Sequence, residues 1–220
     1  TRTRRCRAID VDEVRSARHG AVPILTSPRK ISNPQNQRIG LLGGSFNPAH
    51  DGHLEISDLA MRKLHLDGVW WLVSPQNPLK PVEGMAPLEQ RIAEAARVAD
   101  DPGITVSGIE AELGTRYTAD TLTALCERFP NARFVWLMGA DNLVQMHRWR
   151  QWSRIFHTVP VAVFARPTYS LRAEQAKAAR RFSRYRLPSY KAARLADKRS
   201  PAWVLFKRPL NPLSATQLRR

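Results

Sequence analysis

The run Gly40-Leu41-Leu42-Gly43-Gly44-Ser45-Phe46-Asn47-Pro48-Ala49-His50-Asp51-Gly52-His53 constrains this chain more than any other part of it. Ile39 to Leu42 is a short apolar run, the pattern of a buried strand. The chain then turns through Gly43, Gly44 and Pro48 and reaches a helical pattern that begins at Leu54. A strand, a glycine turn and a helix N-terminus make a preformed anion site, because unpaired backbone N–H groups and the helix dipole converge there. His50 and His53 sit at that spot, and paired imidazoles suit the stabilisation of charge on a phosphoryl group in transfer.

Several other chemistries are excluded or weakened. Gly43-Gly44 alone would be an ordinary tight turn. A histidine pair can ligate a metal, but no cysteine, histidine or carboxylate cluster completes a zinc site around this one. Neither the Gly-x-Gly-x-x-Gly dinucleotide fingerprint nor a Gly-Lys-Ser/Thr phosphate loop is present. Phosphates must therefore be held in some other way.

The 220 residues suffice for one α/β domain with a real core. No apolar run approaches the ~18 residues of a membrane span. The two cysteines, Cys6 and Cys126, do not form a disulfide framework, which fits a reducing cytosol. The formal net charge of +16 permits a nucleic-acid binder. However, the excess sits towards the two ends of the chain, on no visible recognition helix, and a positive field also serves an enzyme that binds phosphates. Residues 1–38 are rich in arginine and carry Pro23, Pro28 and Pro34 with little apolar periodicity, so they read as a basic, flexible leader. Asp10, Asp12 and Glu13 count against a transit peptide. The sequence opens on Thr1 rather than Met, which leaves processing or truncation open.

Residues 39–220 alternate between strands and helices. Val69 to Val73 is continuously apolar, as in a parallel strand covered on both faces. A proline-stiffened loop follows, with Lys80 placed for a phosphate at the carboxyl end of that strand or else simply exposed. Pro87 to Val98 predicts an amphipathic helix with Pro87 at its first position. Ile104 to Ser107 is a strand, and Thr118 is an N-cap candidate for the helix after it. Arg133 to Met138 is another strand; Asp141 reads as a helix N-cap and Trp149 as a core or groove aromatic. Val159 to Phe164 and Ala202 to Phe206 complete the strands, and a basic helix is expected from Leu171 onwards. Ser214, Thr216 and Arg219 at a new helix start would form a second anion site. The alternation implies a Rossmann-like α/β fold, a doubly wound, mostly parallel sheet with helices on both faces.

The whole Gly43–His53 pattern resembles the G-G-x-F-x-P-x-H-x-G-H signature of the HxGH nucleotidyltransferase superfamily. Over Ile39 to Arg219 the chain is similar to the bacterial nicotinate-nucleotide adenylyltransferases. The resemblance implies that Gly43, Gly44, Ser45, Phe46, His50 and His53 form the phosphate turn. It gives Lys80 the basic position in the second loop. Ser214, Thr216 and Arg219 would complete the triphosphate site, with Ala215 where the motif has a second serine. The Tyr117-Thr118 segment would read the pyridine carboxylate, Trp149 would stack on the pyridine, and the Arg150 backbone would lie near the carboxylate. Asp141 would lie by the ribose hydroxyls. The implied reaction joins ATP and nicotinate mononucleotide into deamido-NAD and pyrophosphate, with Mg²⁺ held mainly by ATP phosphates. Acceptance of nicotinamide mononucleotide or phosphopantetheine is the alternative within the superfamily. A basic nucleic-acid-binding protein is the alternative from another class; it accounts for the charge but leaves the histidines, glycines and terminal hydroxyls without a role.

Overall fold

A computed structural model of the chain describes residues 33–75, 84–165 and 170–207. Lys80, Ser214, Thr216, Arg219 and nearly all of the 1–38 leader fall outside these residues.

The strands are β1 (Arg38–Gly44), β2 (Gly68–Val73), β3 (Ile104–Ser107), β4 (Arg133–Gly139), β5 (Val161–Phe164), β6 (Arg186–Leu187) and β7 (Trp203–Phe206). They form one sheet in the order β3-β2-β1-β4-β5-β7-β6, and every pairing is parallel. The expected mostly parallel, doubly wound sheet is present.

The apolar runs are continuous because successive side chains feed opposite faces. Trp70 and Leu72 of β2 join a core cluster with Phe134, Trp136 and Met138 of β4. Val69, Trp71 and Val73 join another cluster with Val135 and Leu137. Each fully enclosed large side chain of this kind contributes about 1.5–3 kcal/mol. The second cluster is covered by α1 (Asp51–Leu64), α2 (Leu88–Val98) and a 3-10 helix, Ser189–Asp197. The first is covered by α3 (Ile109–Glu112), α4 (Thr118–Arg128), α5 (Ala140–Gln145), α6 (Trp152–Thr158), α7 (Ser170–Gln175) and α8 (Lys177–Arg181).

This layering positions the site. From β1 the chain winds outwards to β2 and β3 with α1 and α2 on one face. It then crosses to β4, on the other side of β1, and continues with α5 to α8 on the opposite face before the Ser189–Asp197 helix returns to the first. The winding reverses between β1 and β4, and their carboxyl ends open a crevice of the kind in which such sheets bind ligands.

Five local expectations need correction. Helix α1 starts at Asp51 rather than Leu54, because His50 supplies the cap. Pro87 precedes α2 as its N-cap instead of occupying the first helical position. Thr118 is the first residue of α4, behind Tyr117 as N-cap, and Asp141 lies in the first turn of α5 rather than capping it. The expected basic helix from Leu171 is broken into α7, α8 and 3-10 turns: the backbone leaves helical geometry at Ala176 (φ −58°, ψ 146°), which caps α8.

Candidate active site

Gly43, next to last in β1, lies beside the Trp136 ring: an added Cβ would collide with Trp136 Cη2. Its glycine is therefore dictated by the core as much as by any ligand. At Gly44 the nearest atom to an added Cβ is Phe46 Cε2, at 3.4 Å, which is ordinary contact. Phe46 then adopts the left-handed region at φ 46°, a conformation that costs a non-glycine residue about 1–3 kcal/mol. Burial offsets that cost. The Phe46 ring is 1% exposed, stacked 5.1 Å from Trp71 and packed 4.6 Å from His53.

The two histidines close the start of α1 reciprocally. His50 Nδ1 accepts from Gly52 N at 3.1 Å, while His53 Nδ1 accepts from His50 N at 3.2 Å. The arrangement is a capping box in which imidazoles replace the usual hydroxyl and carboxylate. A ring nitrogen that accepts from a backbone N–H carries no proton, so in the neutral ring the proton resides on Nε2. Both rings are thereby fixed as Nε2–H donors, with centroids 4.0 Å apart. Behind them Ser57 Oγ donates to His53 O at 2.8 Å and accepts from Trp71 Nε1 at 2.8 Å, which anchors the first turn to β2.

Three further residues brace this turn, none of which the motif reading singled out. Asn47 Nδ2 donates to Gly84 O at 3.0 Å, and Asn47 Oδ1 accepts from Ala86 N at 3.4 Å, so the turn is tied to the approach to α2. Arg91, 1% exposed on α2, donates from Nη1 to Ser45 O and Ser74 O at 2.7 Å each. The same guanidinium reaches Pro75 O at 2.9 Å and Ala86 O at 2.8 Å. Glu110, in α3, is 6% exposed, and burial pushes its carboxyl above the usual range against the opposing bonds from Thr121 and Ser74. Arg91 was detectable: Leu88, Arg91, Ile92 and Ala95 share one helical stripe, so the arginine sits where an apolar residue belongs.

The other expected residues arrive from separate segments. Tyr117 caps α4 in extended backbone, and the Arg150 guanidinium lies 4.7 Å over its ring. Thr118 follows directly on the helix. Trp149 is half-buried against the cluster that contains Ala119, Met146 and Leu122. Asp141 lies in the first turn after β4. Thus Tyr117 and Arg150, distant in sequence, meet as one surface. Among the described residues no group of three or more His, Cys, Asp or Glu side chains is placed to hold a metal ion. The donors of the turn suit anionic oxygens, so a cation would enter with the phosphates it neutralises.

Residues 41–220 match the cytidylyltransferase-like family model. The chain is 53% identical, over 82% of its length and 95% of the relative's, to a probable nicotinate-nucleotide adenylyltransferase of Cereibacter sphaeroides. It is 52% identical to another from Methylorubrum extorquens, over 83% of this chain and 98% of that one. In structure it is similar to the Plasmodium falciparum nicotinic acid mononucleotide adenylyltransferase complexed with NaAD. The TM-score there is 0.62 at 15% identity, over 83% of this chain and 82% of that chain. That likeness concerns the fold.

Proposed function

The chain belongs to the cytidylyltransferase-like family and, within it, to the nicotinate-nucleotide adenylyltransferases; from that premise we propose that it transfers the adenylyl group of ATP to nicotinate mononucleotide, giving deamido-NAD and pyrophosphate. A phosphate oxygen of the mononucleotide attacks the α-phosphorus of ATP. A new P–O bond forms, the bond from the α-phosphorus to the bridging oxygen breaks, and pyrophosphate leaves with the electron pair.

The observation that carries the reading is the reciprocal capping of His50 and His53, which holds two Nε2–H donors side by side at the crevice between β1 and β4. The attacking phosphate is already anionic, so no covalent nucleophile is needed. The chain's work is to position the reactants and to stabilise charge that grows on the phosphoryl oxygens. His50 and His53 donate to those oxygens. Gly43, Gly44, Ser45 and Phe46 shape the turn beneath them. Lys80, Ser214, Thr216 and Arg219 hold the triphosphate by their place in the motifs, and Asp141 accepts from ribose hydroxyls. Mg²⁺, bound mainly through ATP oxygens, supplies charge neutralisation on the triphosphate.

On the acceptor side, Thr118 and the Arg150 backbone read the pyridine carboxylate while Tyr117 and Trp149 frame the ring. This favours nicotinate over nicotinamide mononucleotide or phosphopantetheine. We further assign residues 39–220 to the catalytic domain, 1–38 to a basic leader, and the protein to the cytoplasm; among the described residues no helix is long and apolar enough to cross a membrane.

Pyrophosphate release with ATP and Mg²⁺ tests the reading, with the three acceptors compared. Turnover should be strongest with nicotinate mononucleotide. Turnover with phosphopantetheine alone would keep adenylyl transfer and overturn the acceptor. Salt-sensitive binding to nucleic acid without any turnover would overturn both.

A further inference from the structure

We propose that Arg91 is a positioning residue for the transfer, one that locks the glycine turn to the carboxyl end of β2 and, through Ser74 and Glu110, to the segment that carries Tyr117 and Thr118. The proposal deepens the adenylyl-transfer reading and rests on it.

A buried cation ordinarily faces a carboxylate. Arg91 instead spends its donors on main-chain carbonyls: Ser45 in the turn, Ser74 and Pro75 after β2, and Ala86 before α2. Burial lowers its proton affinity, opposed by Glu89, yet a guanidinium stays charged at neutral pH. An apolar residue would fill this place on the helical stripe without that desolvation. What an apolar residue cannot do is hold carbonyls of three chain segments in one plane, which the rigid guanidinium fork does. One of those carbonyls belongs to Ser45, immediately before the strained Phe46.

Ser74 links this clamp to the other half of the site. Its N–H donates to Gly44 O at 2.9 Å, its carbonyl accepts from Arg91, and its hydroxyl faces the Glu110 carboxylate. Glu110 Oε1 accepts from Thr121 Oγ1 at 3.1 Å, and that hydroxyl lies 2.9 Å from Thr115 Oγ1. Tyr117 O, 3.3 Å from Thr121 Oγ1, is the alternative acceptor for the single proton of that hydroxyl. A chain of neighbouring groups therefore runs from the turn below the histidines to the backbone of Tyr117, hydrogen-bonded from Arg91 to Ser74 and from Thr121 to Glu110, with Glu110 Oε2 buried and unpaired between them. A shift at either end moves the phosphate turn relative to the acceptor segment.

The test uses the full chain and the variants Arg91→Lys, Arg91→Ala, Glu110→Gln and the Lys/Gln double, with melting temperatures measured alongside kcat. Lysine keeps the charge and loses the planar fork, so Arg91→Lys should lower kcat about 10²-fold in a folded sample, the scale of a misplaced reacting group. Added methylguanidinium should restore part of the activity of Arg91→Ala; should that variant fail to fold, Arg91→Lys decides alone. The double variant should lose less than the product of the single losses, because each single change already breaks the shared chain of groups. Near-wild-type kcat in Arg91→Lys, or no rescue of a folded Arg91→Ala, overturns the positioning role. Losses that multiply overturn the link through Ser74. If the wild-type chain releases no pyrophosphate, the adenylyl-transfer reading fails by itself. The bonds are then read by hydrogen exchange: faster exchange over residues 44–47 and 117–121 in Arg91→Lys supports the clamp, and unchanged exchange overturns it.

Discussion

The turn that carries His50 and His53 and the segment that carries Tyr117 and Thr118 both serve the carboxyl edge of one sheet, but they are built differently. The turn is closed: His50 and Phe46 are buried, the imidazole Nδ1 atoms are engaged by the backbone, and Arg91 and Asn47 brace it from α2 and its approach. The Tyr117–Thr118 segment, the proposed acceptor side, is half-open. Tyr117 is half-buried, and its ring meets an exposed arginine from another part of the chain. Phosphate oxygens demand donors fixed in advance, where reorganisation would cost rate. A pyridine ring tolerates a softer surface of aromatic and cationic groups. Perturbing the closed half should therefore cost far more than perturbing the open half.

The largest effect is expected at His53. Replacing it with alanine removes half of the capping box and, on the proposed role, one donor to the phosphoryl oxygens. Turnover should fall by about 10²–10³-fold, equivalent to about 2.7–4 kcal/mol. The lost cap costs stability only about 1 kcal/mol. Steady-state kinetics and a melting curve on one sample separate the two losses. A variant that keeps its turnover would show that the imidazole acts as a cap alone.

Gly43→Ala attacks the same turn through the core. The new methyl would collide with Trp136, and overpacking of this kind costs about 1–3 kcal/mol. Denaturant unfolding measures it, with Gly44→Ala as the comparison, since that position has ordinary contact room for a methyl. Equal losses at the two glycines would remove the packing account of Gly43.

How much of this was legible beforehand follows from which residues carry local rules. β1, β2 and β4 were readable because each is an unbroken apolar run, and the turn was readable because glycines, proline and histidines cluster there. The start of α1 was misplaced since histidine is not a preferred cap residue, and its capping depends on a ring geometry that spacing does not reveal. Arg91 and Glu110 were missed for another reason. A charged residue in a short helical pattern ordinarily belongs to the solvated face; the stripe of Leu88, Ile92 and Ala95 signalled that Arg91 departs from that rule, but what it holds, and the burial of Glu110, depend on tertiary contacts with Ser45, Ser74 and Thr121. The meeting of Tyr117 with Arg150 was likewise invisible, because it joins segments that the chain separates.

Glu110 lies between the two halves and gives a prediction of intermediate size. Burial, partly offset by Thr121 and Ser74, raises its carboxyl above the ordinary value. The native state then holds this proton at pH values where the unfolded chain, titrating near ~4.3, has released it. Stability from this group is greatest below the unfolded value and declines as pH rises towards the folded one. Glu110→Gln should flatten that part of the stability–pH curve. Denaturant midpoints collected across the acidic range check it, and an unchanged slope would mean that Glu110 is not the group responsible.

The smallest effect is expected in the open half. Arg150→Ala removes the guanidinium from above Tyr117 but leaves the Arg150 backbone in place. An exposed cation–π contact is worth about 0.5–1 kcal/mol, so the KM for nicotinate mononucleotide should rise a few-fold while kcat stays close to wild type. That split distinguishes two ways in which Arg150 can act. If its backbone alone reads the carboxylate, the substitution leaves KM unchanged. If the guanidinium orients Tyr117, KM rises, and Tyr117→Leu should abolish any further effect of Arg150→Ala. A large loss of kcat on removing this exposed side chain would contradict the contrast itself, because it would make the soft half of the site as demanding as the closed one.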